Sequence, residues 1–86
     1  MPQVLRLIQP KSTSLSGDAC YSVEQIQRLA KEHALVVVVM EDGRNVKGHM
    51  LGLRDGMTHL YLEVQGEDVK VGLYWRAVGI YRVSRQ

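Results

Sequence analysis

Residues 35–40, LVVVVM, form an unbroken apolar run rich in β-branched side chains. Two branches at Cβ crowd a helix but sit well on a pleated surface, so the run predicts a strand. A strand with one wet face alternates apolar and polar residues. A continuous run predicts a strand covered on both faces or bent through a core. The chain that follows is cut to strand lengths. Asp42-Gly43 and Asp55-Gly56 are hairpin signals, because glycine accepts the positive φ of tight turns. Gln65-Gly66-Glu67-Asp68 turns the chain again. Between and after these turns lie RNVKGHMLGL (44–53), MTHLYLEV (57–64), VKVGLY (69–74) and VGIYRV (78–83). Gly48 and Gly52 predict a bulge or sharp bend in the first of these. MTHLYLEV places Met57, His59, Tyr61 and Glu63 on one side and Thr58, Leu60, Leu62 and Val64 on the other. WRA (75–77) leaves room only for a tight turn.

Upstream, the signals change from a period of two to a helical one. Ser22 is an N-cap, and Gln25 completes a capping box. Tyr21 before the cap can staple onto Ile26. Val23, Ile26, Leu29, Ala30 and Ala34 share one face at helical spacing. Glu24–Arg28 and Arg28–Glu32 are i,i+4 pairs on the wet side. The helix therefore needs an apolar surface to lie on.

These elements predict a mainly β chain with one N-terminal helix. Five short, strongly bent antiparallel strands with a helix across one end suggest a small barrel. Residues 1–20 read as an N-terminal extension, either flexible or holding one short strand. VLRLI (4–8) is the candidate strand, bracketed by Pro2 and Pro10, and KSTSLSGDA (11–19) reads as loop. Residues 21–86 read as the domain proper, with the helix at 22–34 and strands over 35–84. At 86 residues the core is small, and such domains often gain stability by oligomerising.

The net charge of +2 is nearly balanced, but its distribution is uneven. Residues 69–86 carry Lys70, Arg76, Arg82 and Arg85 and no acid. Such a segment can meet phosphate, or simply keep the surface solvated. One cysteine, Cys20, excludes an internal disulfide and fits a reducing compartment. No apolar run approaches the ~20 residues needed to cross a bilayer, and the first residues lack a signal peptide's apolar centre. The expectation is a soluble, cytoplasmic protein with no membrane partner.

Catalytic and metal chemistry find no pattern. His33, His49, His59 and Cys20 lack ligand spacing, so no metal or other cofactor is expected. Asp42, Asp55 and Asp68 are accounted for by turns. The glycines punctuate hairpins and precede no helix, unlike a phosphate loop. The chain does not read as an enzyme.

Two stretches carry a resemblance. VVVVMEDGRNVKGHMLGLRD places Asp42-Gly43, Gly48, Met50, Leu53 and Asp55 much as the first motif of Sm-like proteins does. Tyr74-Trp75-Arg76-Ala77-Val78 is similar to the Tyr-Lys-His-Ala-Ile of the bacterial Hfq branch, with Trp75 and Arg76 in place of lysine and histidine. The resemblance spans about residues 22–84. It implies a closed ring of identical subunits, in which the fourth strand of one pairs with the fifth of the next. It implies single-stranded RNA, U-rich or A-rich, at the turn between those strands. Tyr74, Trp75 and Arg76 would then line the pore. Arg54 and Asp55 fall where the family makes further nucleotide contacts, and Arg44 and Lys47 are candidate rim contacts.

Other readings stay open on the sequence. Trp75 can equally fill a subunit interface while Arg76 makes a structural ion pair. That would leave a ring-forming structural or protein-interaction barrel without nucleic acid. The basic C-terminal segment also admits a small DNA-binding barrel of a mobile element.

Overall fold

The computed structural model describes residues 3–85. Its elements are β1 (Gln3–Ile8), β2 (Ser12–Thr13), β3 (Ala19–Cys20), α1 (Val23–Lys31), β4 (Leu35–Met40), β5 (Asn45–Arg54), β6 (His59–Val64), β7 (Glu67–Leu73) and β8 (Ala77–Arg85). A 3-10 turn, Tyr74–Arg76, joins β7 to β8. The chain is mainly β with one short helix, as expected. One antiparallel sheet runs in the order β1-β8-β4-β5-β6-β7, and β2 with β3 forms a separate two-stranded hairpin. The five expected strands are all present, and the N-terminal extension adds a sixth to the sheet. Backbone pairing does not close the sheet, whose free edges are β1 and β7.

The helix begins where its cap predicts. The Ser22 hydroxyl accepts from the Gln25 amide, and the Gln25 side chain accepts from the Ser22 amide. It ends three residues earlier than the sequence suggests. His33 sits at φ 51, in the left-handed region. Its amide donates to the Ala30 carbonyl, and the Ala34 amide donates to Leu29. That is a Schellman ending with histidine where glycine is usual. The expected Arg28–Glu32 pair gives way to a longer-range one, Arg82 Nη1 donating to Glu32 at 3.0 Å.

The helix lies on β5, and close approaches to that strand, from the helix at Gly52 and from β6 at Gly48, explain its glycines. Ile26 and Leu29 of α1 meet Val36, Val38 and Met40 of β4, Met50 of β5, Leu60 and Leu62 of β6, and Ile80 of β8 in one buried cluster. A Cβ on Gly52 would sit 3.3 Å from the Ala30 methyl, so the helix approaches β5 closely there. A Cβ on Gly48 would fall 2.5 Å from the Glu63 carbonyl oxygen. The predicted irregularity appears as a register shift against β6 between Met50 and Gly52. β4 departs from its both-faces-covered pattern. Val36, Val38 and Met40 are buried, whereas Leu35, Val37 and Val39 are only half-buried on the outer face. Among the described residues no helix is long and apolar enough to cross a membrane.

Candidate nucleic-acid interface

Two turns meet at one end of the sheet. In the first, Asp55, Gly56 and Met57 all have positive φ, between β5 and β6. The Thr58 hydroxyl donates to the Asp55 carbonyl and so holds the turn from inside. In the second, the 3-10 turn, the Ala77 amide donates back to the Tyr74 carbonyl. The Tyr74 amide donates to the Thr58 carbonyl at 3.0 Å, which fixes one turn against the other. A third contact brings in the β4–β5 turn, where the Glu41 amide donates to the Arg76 carbonyl at 2.9 Å.

The three pore candidates differ in what they offer. Tyr74 is half-buried and packs against the core. Its ring meets Trp75 edge-to-face, with centroids 5.1 Å apart and planes at 82°. Trp75 remains 45% exposed. A large apolar side chain left in water beside two turns is an available stacking surface. Arg76 is not free. Its Nη1 donates to Glu41 Oε1 at 3.0 Å.

The lower-ranked candidates fall into two groups. Arg44 donates through Nε to Asp42 at 2.7 Å and through Nη2 to the Val71 carbonyl at 3.0 Å, tying the β4–β5 turn to the edge strand β7. Hydrogen bonds from the Arg44 amide and side chain hold the Asp42 carboxyl below its ordinary range. Arg44 and Arg76 share a cleft of about 400 Å³ with His59 and Lys70, and Glu41 and Asp42 also line it. Asp55 and Arg54 sit beside this cleft. Asp55 accepts from Lys70 Nζ at 3.0 Å and from the Tyr61 hydroxyl at 3.1 Å. The Lys70 hydrogen bond is the main cause that lowers the Asp55 carboxyl, and the same bond raises the Lys70 ammonium. Arg54 pairs with Asp68 at 2.8 Å and lies 4.9 Å above the Tyr61 ring, with Lys70 at 5.9 Å from that ring. Lys47 stands apart. It reaches over the outer face to the Gln3 side chain at 2.8 Å, with β4 and β8 between their strands.

So Tyr74, Trp75, Arg76, Asp55 and Arg44 converge, Arg54 adjoins them, and Lys47 does not. Sequence reasoning missed Lys70, Tyr61, His59 and Glu41. The alternation of β6 already put Tyr61 and His59 on one face. No sequence signal paired Glu41 with Arg76, because those residues meet only through the fold. Another pair of histidines, His33 and His49, lies with ring centroids 4.8 Å apart, and His33 is 3.5 Å from Glu63. Among the described residues no group of three or more such side chains is arranged to hold a metal. Comparison with protein-family models, curated proteins and solved structures gave no match.

Proposed function

We propose that this chain is a single-stranded-RNA-binding module of the Sm-like kind, resembling the Hfq branch, and that it acts in the cytoplasm as a closed ring of identical subunits. Trp75 stacks on a base, Tyr74 holds the indole, and Arg76 and Arg44 meet phosphate. The observation that carries the reading is the Tyr74–Thr58 backbone bond, which sets the turns at 55–58 and 74–76 side by side beneath an exposed tryptophan. These are the two turns the resemblance marks for nucleotide contact. The order β8-β4-β5-β6-β7 supports it too, since the last strand returns to the first and leaves β7 as an edge. The register shift of β5 between Met50 and Gly52 fits a small barrel with an open seam.

The electrostatics set the strength. Stacking on an aromatic ring contributes ~1–3 kcal/mol per base. Arg76, Arg44, Arg54 and Lys70 each face a carboxylate. Exposed ion pairs are worth ~0–1 kcal/mol, so a phosphate can replace a carboxylate at small cost. Binding should therefore be weak in its ionic part and led by stacking.

The complete pairing of these cations also favours a second reading, a protein-contact surface that uses no nucleic acid. Fluorescence anisotropy separates the two. Labelled U-rich and A-rich RNA 10-mers and a DNA control are titrated at two salt concentrations. Binding to RNA with quenched Trp75 emission supports the proposal. Equal binding to DNA would move the function to DNA, and no binding at low salt would leave the protein-contact reading.

A further inference from the structure

We propose that the cleft between α1, β8 and residues 8–12 is a binding site for a small phosphate monoester with an apolar body. It shares no lining residue with the cleft of Arg44 and Arg76, and it does not depend on the RNA reading.

The cleft has a volume of about 380 Å³, within the range of small-ligand sites. Ile8 and Leu29 give it an apolar wall, with Leu29 buried and Ile8 half-buried. One side chain holds the facing wall in shape. Gln25, already engaged in the helix cap, donates through Nε2 to the Gln9 carbonyl at 2.7 Å. Its Oε1 accepts from the Lys11 amide at 3.1 Å. Residues 9–11 are thereby fixed against the first turn of α1, and Lys11 is held at the cleft by its backbone. A wall set before binding spares a ligand the cost of ordering it.

Charge selects the ligand. Lys11, Arg28 and Arg82 line the cleft together with Glu24 and Glu32. Arg6 stands opposite Arg82 in the β1–β8 register, so both project from the same face of the sheet. Like charges directly opposite each other across strands repel. Of these four cations only Arg82 has a carboxylate partner, Glu32 at 3.0 Å. Among the described residues Arg6, Lys11 and Arg28 make no ion pair. Beside Trp75 the opposite holds, since Arg76, Arg44, Arg54 and Lys70 each face a carboxylate. Uncompensated positive charge therefore gathers at the helix cleft. Four cations against two carboxylates leave an excess of two charges. A phosphate monoester carries about −1.5 to −2 at neutral pH, whereas a carboxylate brings only one charge. Guanidinium forks also bind phosphate oxygens through paired hydrogen bonds. The phosphate lies among Arg28, Arg82 and Lys11, and the ester group lies on Ile8 and Leu29.

The test uses full-length protein and two soluble probes, phenyl phosphate and inorganic phosphate. Amide chemical shifts are followed by NMR as each is added. Phenyl phosphate should shift the amides of residues 8–12, 25–29 and 82, and should bind more tightly than inorganic phosphate. Arg28→Gln removes a cation that has no carboxylate partner and keeps a good helix former in place. Affinity for phenyl phosphate should then fall about 10-fold, the worth of one charge-assisted hydrogen bond. Vesicles of phosphatidate, with phosphatidylcholine as control, tell the two sources of such a group apart. Co-sedimentation with phosphatidate alone assigns a lipid headgroup, and phenyl phosphate binding without it assigns a soluble ester. Absence of any shift at about 10 mM phenyl phosphate overturns the proposal. Equal affinity for inorganic phosphate, or an unchanged affinity in Arg28→Gln, overturns it too. Shifts at these residues with the U-rich RNA 10-mer but not with phenyl phosphate would give the cleft to nucleic acid and overturn it as well. The phenyl phosphate readout involves no RNA, so loss of the RNA reading and loss of this one are told apart.

Discussion

The Tyr21 hydroxyl accepts the Ile80 amide at 2.9 Å within the core, fifty-nine residues apart in sequence. The same oxygen donates to the Ile8 carbonyl, so one side chain clasps both β1 and β8. Tyr21→Phe keeps the ring and strips the Ile80 amide of its partner. An unsatisfied buried donor costs ~1–3 kcal/mol, which urea unfolding should report. The pH dependence has a definite sign. Burial raises the Tyr21 hydroxyl above 10.0, against the lowering effect of the Ile80 bond. A group raised in the folded state contributes stability below its unfolded value and loses it as pH climbs through the folded one. The parent chain should therefore lose stability above about pH 10 more steeply than Tyr21→Phe.

Gly48 is a packing requirement rather than a flexible joint. Its φ is not positive, yet an added Cβ would meet the Glu63 carbonyl at 2.5 Å and the Val64 side chain at 3.0 Å. Backbone cannot swing aside as a side-chain tip can. Gly48→Ala should separate β5 from β6 and destabilise the fold by ~1–3 kcal/mol. A lowered urea midpoint with an unchanged slope checks it.

These two residues mark what the sequence could reveal. Gly52 marks the register shift in β5, and Ser22 with Gln25 marks the helix start, because each signal acts within a few residues. The short helix end has no local signal, since His33 takes a conformation usually left to glycine. β1 was legible as a strand at 4–8 but not as a partner of β8. Leu5 pairs with Val83 from the far end of the chain, and no local pattern encodes that. The site divides in the same way. Trp75 was visible as the one tryptophan in a turn. The carboxylates that hold Arg76 and Arg54 were not, because Glu41 and Asp68 lie 35 and 14 residues away.

Asp55 ties the β5–β6 turn to β7 through Lys70. Its carboxyl is lowered chiefly by the Lys70 hydrogen bond, with the Tyr61 hydroxyl also contributing. A lowered carboxyl contributes stability above its unfolded value near 3.8 and loses it as pH falls through the folded one. Acid should thus loosen the turn below pH ~4. Asp55→Asn should flatten this acid limb and lower neutral-pH stability by the same small amount, since the pair is exposed. Thermal melts of both proteins from pH 7 down to pH 3 give the comparison.

Trp75 and Glu41 make opposite predictions for RNA. Trp75→Ala removes the stacking surface from an exposed position. Affinity for the preferred RNA 10-mer should fall about 5- to 150-fold, the equivalent of ~1–3 kcal/mol, with the melting temperature unchanged. Glu41→Gln acts on Arg76 from the other side. It removes the charge that Arg76 Nη1 meets at 3.0 Å and keeps a hydrogen-bond acceptor in place. A guanidinium released from its carboxylate can engage phosphate fully. Affinity should rise by up to about 5-fold, the worth of an exposed ion pair of ~1 kcal/mol. The salt dependence should steepen by about 0.7 in log–log slope, the increment for one added phosphate contact on a single strand. Anisotropy titrations from 50 to 200 mM salt measure both. A tighter complex with a steeper slope assigns Arg76 to phosphate. An unchanged slope would mean that Arg76 serves only the turn, and that Trp75 works without it.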